Sequence, residues 1–430
     1  MREIKITAER LVSSLLKLSE QKKVCLLDSC AVSHLGSHLL IAGIEPIETL
    51  NIFGKSATET LEILNDKISQ TDTFCIFTIS YDFGLKLEDI EPRLKEFSSF
   101  SEPDVFIAVY DCLIVHDYET GKTNLIGDVE KFEKTERILL DANDFVVVET
   151  VENSTITSNF TKKTYVAAIE KIKESIKRGD TYQTNLTQQI RADLPKNLTA
   201  QQVFFSLRKV HPAPFAAFLR RGEDCVVSIS PERFFRIQNS KISTSPIKGT
   251  RRRGGSVAED LLLRDELLNS EKDRAENVMI VDLLRNDLGR ICRFGTVKVE
   301  KLCDLQMHPT LFHLVSTVSG ELRKYANFAD VLKAVFPCGS ITGAPKVRTM
   351  QIIDQIETAA RGLSMGAIGY SIQNSIDLSV AIRTMVVRDG EATFNVGGGI
   401  VIDSDSDAEY SESLLKAEAL LKAINGKIIR

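Results

Sequence analysis

Residues 379–402 read SVAIRTMVVRDGEATFNVGGGIVI. Two runs rich in β-branched and apolar residues, 379–388 and 392–402, flank Asp389-Gly390, a dipeptide that readily takes the positive φ angles of a tight hairpin turn. The pairing this predicts is antiparallel. Working outward, similar short segments recur near 181–192, 215–221, 224–230, 233–237, 241–248, 296–305, 311–320 and 366–373, and helices are expected near 257–288, 328–335, 345–360 and 407–424. Strands in hairpin-joined runs, with helices between groups of them, give the α+β class with antiparallel sheets. From Thr164 a further helix is signalled, because Tyr165, Ile169, Ile172 and Ile176 fall on one face and Gly179 supplies a stop. Nearer the amino terminus, Phe74 to Tyr81 and Val105 to His116 read as strands, and 117–122 as a turn. The polar stretch ENSTITSNFTKK at 152–163 sets a boundary between an amino-terminal part, 1–155, and a carboxyl-terminal part, 156–430.

Of the 430 residues, 43% are hydrophobic and 26% charged, which excludes a disordered, collagen-like or disulfide-framework chain. Fifty-four Lys and Arg against 59 Asp and Glu give a formal charge of -5, so no nucleic-acid partner is expected. No apolar run approaches the roughly 20 residues of a membrane helix, and the start lacks a cleavable leader pattern. A cytoplasmic protein without membrane association is expected. Cys25, Cys30, Cys75, Cys112, Cys225, Cys292, Cys303 and Cys338 form no Cys-x-x-Cys pair, which suits reduced, buried thiols. His34 and His38 stand four apart without the glutamate of a zinc hydrolase, and read as ordinary histidines.

Two carboxylate groups lie at helical spacing: Asp273 and Glu276, three apart, and Glu409 and Glu412, three apart with Lys416 following. Helices converging on one cleft would make of them a hard oxygen site for Mg²⁺. Equally, Ser406 and Glu409 form a capping-box pattern and Glu412 and Lys416 an ordinary surface pair. In SPIKGTRRRG, Lys248 ends an apolar strand and precedes Arg251, Arg252 and Arg253. An amine is nucleophilic only when neutral, and an ordinary lysine is neutral in on the order of one molecule in 2,000 at pH 7. Burial or a neighbouring cation is therefore required, and the three arginines offer the cation. Gly397, Gly398 and Gly399 suit backbone contact with an anion, or a tight bulge. GSITGAPK at 339–346 lacks a phosphate loop's spacing, and nucleotide binding there is rejected. Spacing alone reaches an α+β protein with a Mg²⁺ and anion cleft.

Taken together, GDTYQTNL, SISPERFF, SPIKGTRRRG, ENVMIVDLLRNDLGR, HLVSTVSG, PCGSITGAPKVR, MGAIGY, AIRTMVV and GGGIVIDSDSDAEYSESLLKAEAL resemble, in order, the signature of the chorismate-utilising enzymes. The likeness runs from about 164 to 425, and VCLLDSC at 24–30 is similar to the Leu-Leu-Glu-Ser segment in the amino-terminal part of the aminating members. The resemblance implies two antiparallel sheets packed face to face with helices outside, and an active site in the carboxyl-terminal part. It implies that Glu276 and Glu412 bind Mg²⁺, with Asp273 and Glu409 near it through water. Glu232 would be the general acid and Lys248 the nucleophile. Gln183, Thr250, His313, Arg383, Lys416 and the amides of Gly397, Gly398 and Gly399 would hold chorismate. Members that add water have lysine at Gln183, and anthranilate-forming members have alanine at Lys248, so the implied activity is ammonia addition giving 4-amino-4-deoxychorismate. Anthranilate formation is the alternative within the family. A non-catalytic sensor of the same fold would lack a metal carboxylate or the acid, and Glu232, Glu276 and Glu412 are all present. A glutamine amidotransferase subunit is expected to supply ammonia, since no Cys-His-Glu glutaminase pattern occurs here. Ser364 replaces a usual tyrosine, and Asp28 a usual glutamate, which leaves tryptophan binding by the amino-terminal part open.

Overall fold

The computed structural model describes residues 1–33, 36–95, 97, 102–147, 152–307 and 311–426; His34 lies outside them. Two sheets organise the chain, one of 12 strands and one of 10. The first runs from Arg2–Ile4 through Lys122–Gly127, Cys112–Asp117, Leu39–Ile44, Val24–Asp28, Phe215–Arg220, Asp224–Ser230, Thr384–Arg388, Glu391–Ile400 and Gln183–Asp193 to Gly343–Ala344. The second runs from Ile247–Arg252 through Leu311–Glu321, Lys241–Thr244, Arg233–Gln238, Ser375–Val380, Ala367–Ile372, Phe74–Ile79 and Val105–Tyr110 to Glu48–Ile52. Strands from both sides of residue 155 meet in each: Val24–Asp28 pairs antiparallel with Phe215–Arg220, and Phe74–Ile79 with Ala367–Ile372. The Asp389-Gly390 turn, at φ 51° and 80°, joins two strands as expected.

Alternation along single strands shows why the sheets stack. In Phe74–Ile79, Phe74 and Ile76 enter a core shared with Cys25, Ile41, Ala217 and Leu219 of the other sheet. Cys75, Phe77 and Ile79 point the opposite way, onto a core with Leu61, Ile280, Leu284 and Leu332 from helices. On the far side of the first sheet, Leu26, Phe218 and Val227 pack against Leu11, Leu15, Phe204 and Leu420, also from helices. A period of two buried on both faces requires two sheets face to face with helices outside. Each such Leu, Ile, Val or Phe side chain contributes about 1.5–3 kcal/mol by leaving water.

Several local expectations change. The run Val105 to His116 is two strands, Val105–Tyr110 and Cys112–Asp117, in different sheets. The helix expected over 257–288 is two, Val257–Asn269 and Glu271–Gly289, because Ser270 is extended (ψ 104°) and its hydroxyl caps the second by accepting from the Asp273 amide. The strand expected over 241–248 breaks into Lys241–Thr244 and Ile247–Arg252 around Ser245 and Pro246, which lacks a ladder donor. Asp405, not Ser406, caps the Ser406–Ala423 helix; Glu409 instead accepts from the Ser404 hydroxyl at 2.7 Å.

Buried Arg361 ties the carboxyl-terminal elements together. It donates to Glu357 at 2.7 and 2.9 Å, to the Asn185 carbonyl at 2.7 Å and to the Ile341 carbonyl at 2.9 Å, while Glu357 accepts from the amide and hydroxyl of Thr187. Removing one partner leaves an uncompensated buried charge. Arg361→Met should lower the unfolding free energy by about 3–5 kcal/mol in denaturant titration; a loss below about 1 kcal/mol, the range of an exposed ion pair, would contradict this role.

Candidate active site

A cleft of about 610 Å³ opens in the carboxyl-terminal part, and most of the residues singled out from sequence line it. Lys248 reaches it from a bulge. The register between Ile247–Arg252 and Leu311–Glu321 shifts between Ile247 and Thr250, and Gly249 within the shift has φ 83°. A Cβ at Gly249 would stand 2.9 Å from Leu267 and 3.0 Å from Asp273, so glycine is needed both for the backbone angle and for the space. Half-buried Lys248 donates to the Ser340 carbonyl at 3.4 Å. Thr250, directly opposite His313 in the ladder, meets its Nδ1 at 3.2 Å.

Glu232 follows the strand Asp224–Ser230, and its carbonyl accepts from the Val380 amide at 3.1 Å. The side chain is buried, and Oε1 has no hydrogen-bond partner among the described residues. Burial pushes its carboxyl above the usual range, while the charge of Lys248 and hydrogen bonds from the Ser340 side chain and the Ile247 amide pull it back. Burial thus favours the protonated form of this carboxyl, the form a proton donor needs.

The two acidic pairs do meet in this cleft, each carried by the first turns of its helix. Asp273 pairs with Arg251 at 3.3 Å, Glu409 faces Lys272 at 3.9 Å, and Glu412 pairs with Lys416 at 2.8 Å. Burial raises the Glu276 carboxyl; Lys248 and Lys272 oppose this, and Asp273 and Glu409 add to it. Desolvation also pushes on Glu412, but Lys416, by charge and hydrogen bond, together with Lys272 and Lys248, holds it below the usual range. The oxygens of the four acids do not converge: among the described residues, the group whose ligand atoms all lie within 4.8 Å is His38, Asp117 and Glu119, which does not line this cleft. As a donor set the four acids fit a hard divalent cation, being oxygen only and partly desolvated.

The basic loop is a correction. Arg251 binds Glu266 and Asp273, Arg252 binds Glu259, and Arg253 binds Asp260, so their charges are answered by carboxylates rather than turned on Lys248. Glu232, Glu276 and Glu412 each feel the charge of Lys248.

Gly397 and Gly399 line the cleft, and Gly398 lies beside it. A Cβ on Gly397 would fall 1.8 Å from the Leu186 carbonyl, and one on Gly398 3.4 Å from both Glu409 and Lys416. The neighbouring strand Thr384–Arg388 pairs only as far as Thr393, leaving the following backbone of that edge toward the cleft. Lys416 donates to the Gly397 carbonyl at 3.1 Å. Arg383, at φ 49° and exposed, lines the cleft, and no carboxylate pairs with it among the described residues. Gln183 is buried outside the cleft lining, its amide against Gly399. Ser364 lines an adjoining cavity of about 530 Å³, donating to the Thr384 carbonyl and accepting from the Asn395 amide. Asp28 is engaged by Arg208 at 2.6 Å and Tyr118 at 2.8 Å.

Lys272 and Ser340, which the sequence did not single out, also line the cleft, as does Asn185, which the resemblance expects with Leu186 but to which the sequence assigned no place in the site. Asn185 Oδ1 is buried without a partner among the described residues, an acceptor free to meet a ligand. Each lies beside a residue or motif that was selected, but nothing in its spacing says where its side chain points.

The family model described as chorismate binding enzyme matches residues 22–422. Aminodeoxychorismate synthase component 1 of Escherichia coli (strain K12) is 36% identical over 437 residues, covering 95% of this chain and 94% of that protein. Anthranilate synthase component 1 of Aquifex aeolicus (strain VF5) is 38% identical, covering 75% and 68%. The crystal structure of anthranilate synthase component I from Streptococcus pneumoniae TIGR4 superposes with a TM-score of 0.80 at 27% identity, covering 91% and 93%. A cleft that sets a buried acid and a lysine opposite paired carboxylates, in a chain so matched, places the protein in the chorismate-binding enzyme family, as a chorismate-utilising enzyme.

Proposed function

We propose that the chain converts chorismate and ammonia to 4-amino-4-deoxychorismate and water, as the aminating component in 4-aminobenzoate and folate synthesis. The observation that carries this reading is Lys248, aimed from its bulge into the same cleft as buried Glu232. Arg383, Lys416, Thr250, His313 and the 397–399 edge would hold the dianionic substrate, with Gln183 supporting that edge from behind. Gln183 in place of the lysine that activates water favours amination over hydration.

Glu232 gives its proton to the 4-hydroxyl, which leaves as water. The neutral amine of Lys248 bonds to C2 as the ring double bonds shift and the C4–O bond breaks. Ammonia then bonds to C4, the double bonds shift back, the C2–N bond breaks with its electron pair returning to Lys248, and the new C4 ammonium gives a proton back to the Glu232 carboxylate. Splitting the exchange divides one hard displacement into two. Glu276 and Glu412 would hold Mg²⁺ directly, and Asp273 and Glu409 through water. The bound ion supplies positive charge that clamps the ring carboxylate. The names of the component 1 relatives imply a second component, which we take to be a glutamine amidotransferase delivering ammonia. Anthranilate formation is the second reading, favoured by the relatives of that name.

Incubated with chorismate, Mg²⁺ and ammonium, the protein should form a product that an added lyase converts to 4-aminobenzoate; fluorescent anthranilate as the wild-type product would overturn the reading. Lys248→Ala should stop aminodeoxychorismate formation and release some anthranilate, since ammonia then attacks C2 directly; an unaffected rate would remove the lysine from the mechanism. Chelation should abolish turnover, and Glu276→Gln should raise the Mg²⁺ needed for half-activity by about tenfold or more, the equivalent of about 1.4 kcal/mol. Turnover indifferent to chelator would count against the metal.

A further inference from the structure

The cavity of about 530 Å³ beside the cleft takes no part in the steps above. Asn395 lines both spaces, so it stands in the wall between them. Its Nδ2 donates to the Thr187 hydroxyl at 3.2 Å, its Oδ1 accepts from Gln189 Nε2 at 3.3 Å, and its amide donates to the Ser364 hydroxyl at 3.2 Å. The lining of the second cavity is acidic. Asp82, Glu102 and Asp104 all line it, and the basic side chain among its described lining residues, Arg361, turns its guanidinium on Glu357 and on the Asn185 and Ile341 carbonyls. Buried Arg221 answers Glu102 at 3.0 Å and Lys86 answers Asp104 at 2.6 Å. Asp82 makes no ion pair among the described residues and accepts from the Gly362 amide at 2.8 Å. Desolvation raises its half-buried carboxyl to about 6, which leaves it charged at neutral pH.

Gln189 supplies a second, independent sign of a ligand. It is 5% exposed and lines the same cavity, and its Nε2 donates to the Ala360 carbonyl at 2.8 Å as well as to Asn395. Its Oε1 is buried without a partner among the described residues. A buried acceptor left without a donor is costly, so a donor is expected there.

We propose that this cavity is the holding site for the nitrogen substrate, taken up as ammonium and passed to the chorismate cleft beside Asn395. Ammonium is the form that ammonia mostly takes in neutral water. Its single positive charge and four N–H donors suit a recess lined by carboxylates and an unmet amide oxygen, in which the one guanidinium is already engaged. A recess lined by one sign of charge concentrates the opposite ion, and the same acids keep dianionic chorismate out, so the two substrates wait in separate spaces. Ammonium returns one proton to solvent through the open side of the cavity, and the neutral molecule then adds at C4. The inference deepens the amination reading and rests on it for the need for ammonia.

The test is consumption of saturating chorismate with Mg²⁺, with ammonium chloride varied at constant ionic strength because salt screens charges. Wild type, Asp82→Asn and Ser364→Tyr are compared, each also melted thermally. Asp82→Asn keeps the side chain's shape and an oxygen to accept from Gly362, and removes the charge. The ammonium concentration for half-maximal rate should rise roughly tenfold, the scale of one hydrogen bond to a charged group, while KM for chorismate and kcat at saturating ammonium stay within about twofold of wild type. Ser364→Tyr leaves every carboxylate in place but puts a ring into the cavity, and should raise the ammonium requirement in the same way. If Asp82→Asn melts early, Ser364→Tyr carries the test. An ammonium requirement that does not move in folded variants, whether or not kcat falls, would overturn the proposal. Anthranilate as the wild-type product would overturn amination at C4 and leave the holding site standing, since either product consumes ammonia.

Discussion

One lysine set among carboxylates is the constraint on which the rest of the site depends. Lys248 is felt electrostatically by Glu232, Glu276 and Glu412, while Lys272 and Lys416 answer the outer acids. Acids gathered this way repel, since a pair of like charges about 6 Å apart costs about 3 kcal/mol at an effective dielectric near 20. Without the lysines the desolvated acids would take up protons or move apart.

The fold provides this crowding by bringing together elements far apart in sequence. An edge strand with a glycine-dependent bulge presents Lys248, the break at Ser270 starts a fresh helix that presents Asp273 and Glu276, and the glycine-rich strand runs into the helix that presents Glu409 and Glu412. Sliding of the central strands is opposed, because alternate residues of Phe74–Ile79 are buried against opposite cores. The Arg361–Glu357 pair then joins the Gln183–Asp193 strand to the turn behind Lys248, so the stability of the core and the geometry of the site share one set of hydrogen bonds.

Much of this was legible in the sequence where one residue acts through its own backbone preference. Asp389-Gly390 announced its hairpin, and Gly179 its helix end. The acids were legible as pairs because helical spacing puts residues three apart on one face; that the two pairs share a cleft was supplied by resemblance, not by spacing. The misreadings arose where neighbours compete. Arg251 to Arg253 looked like a cationic environment for Lys248, but acids of the next helices capture them. Ser406 looked like a cap until Asp405, one residue earlier, took that place. Ser340 lines the cleft without a signal in the sequence, because nothing in its spacing says where it points.

The proposed step that sets amination at C4 apart is a covalent bond from the Lys248 amine to the chorismate ring. Its most direct test is mass spectrometry of the protein incubated with chorismate and Mg²⁺ in the absence of ammonia. The account requires that the peptide containing Lys248 gain the mass of chorismate less one water. An unmodified Lys248 peptide, in protein that goes on to turn over chorismate when ammonium is added, would contradict it.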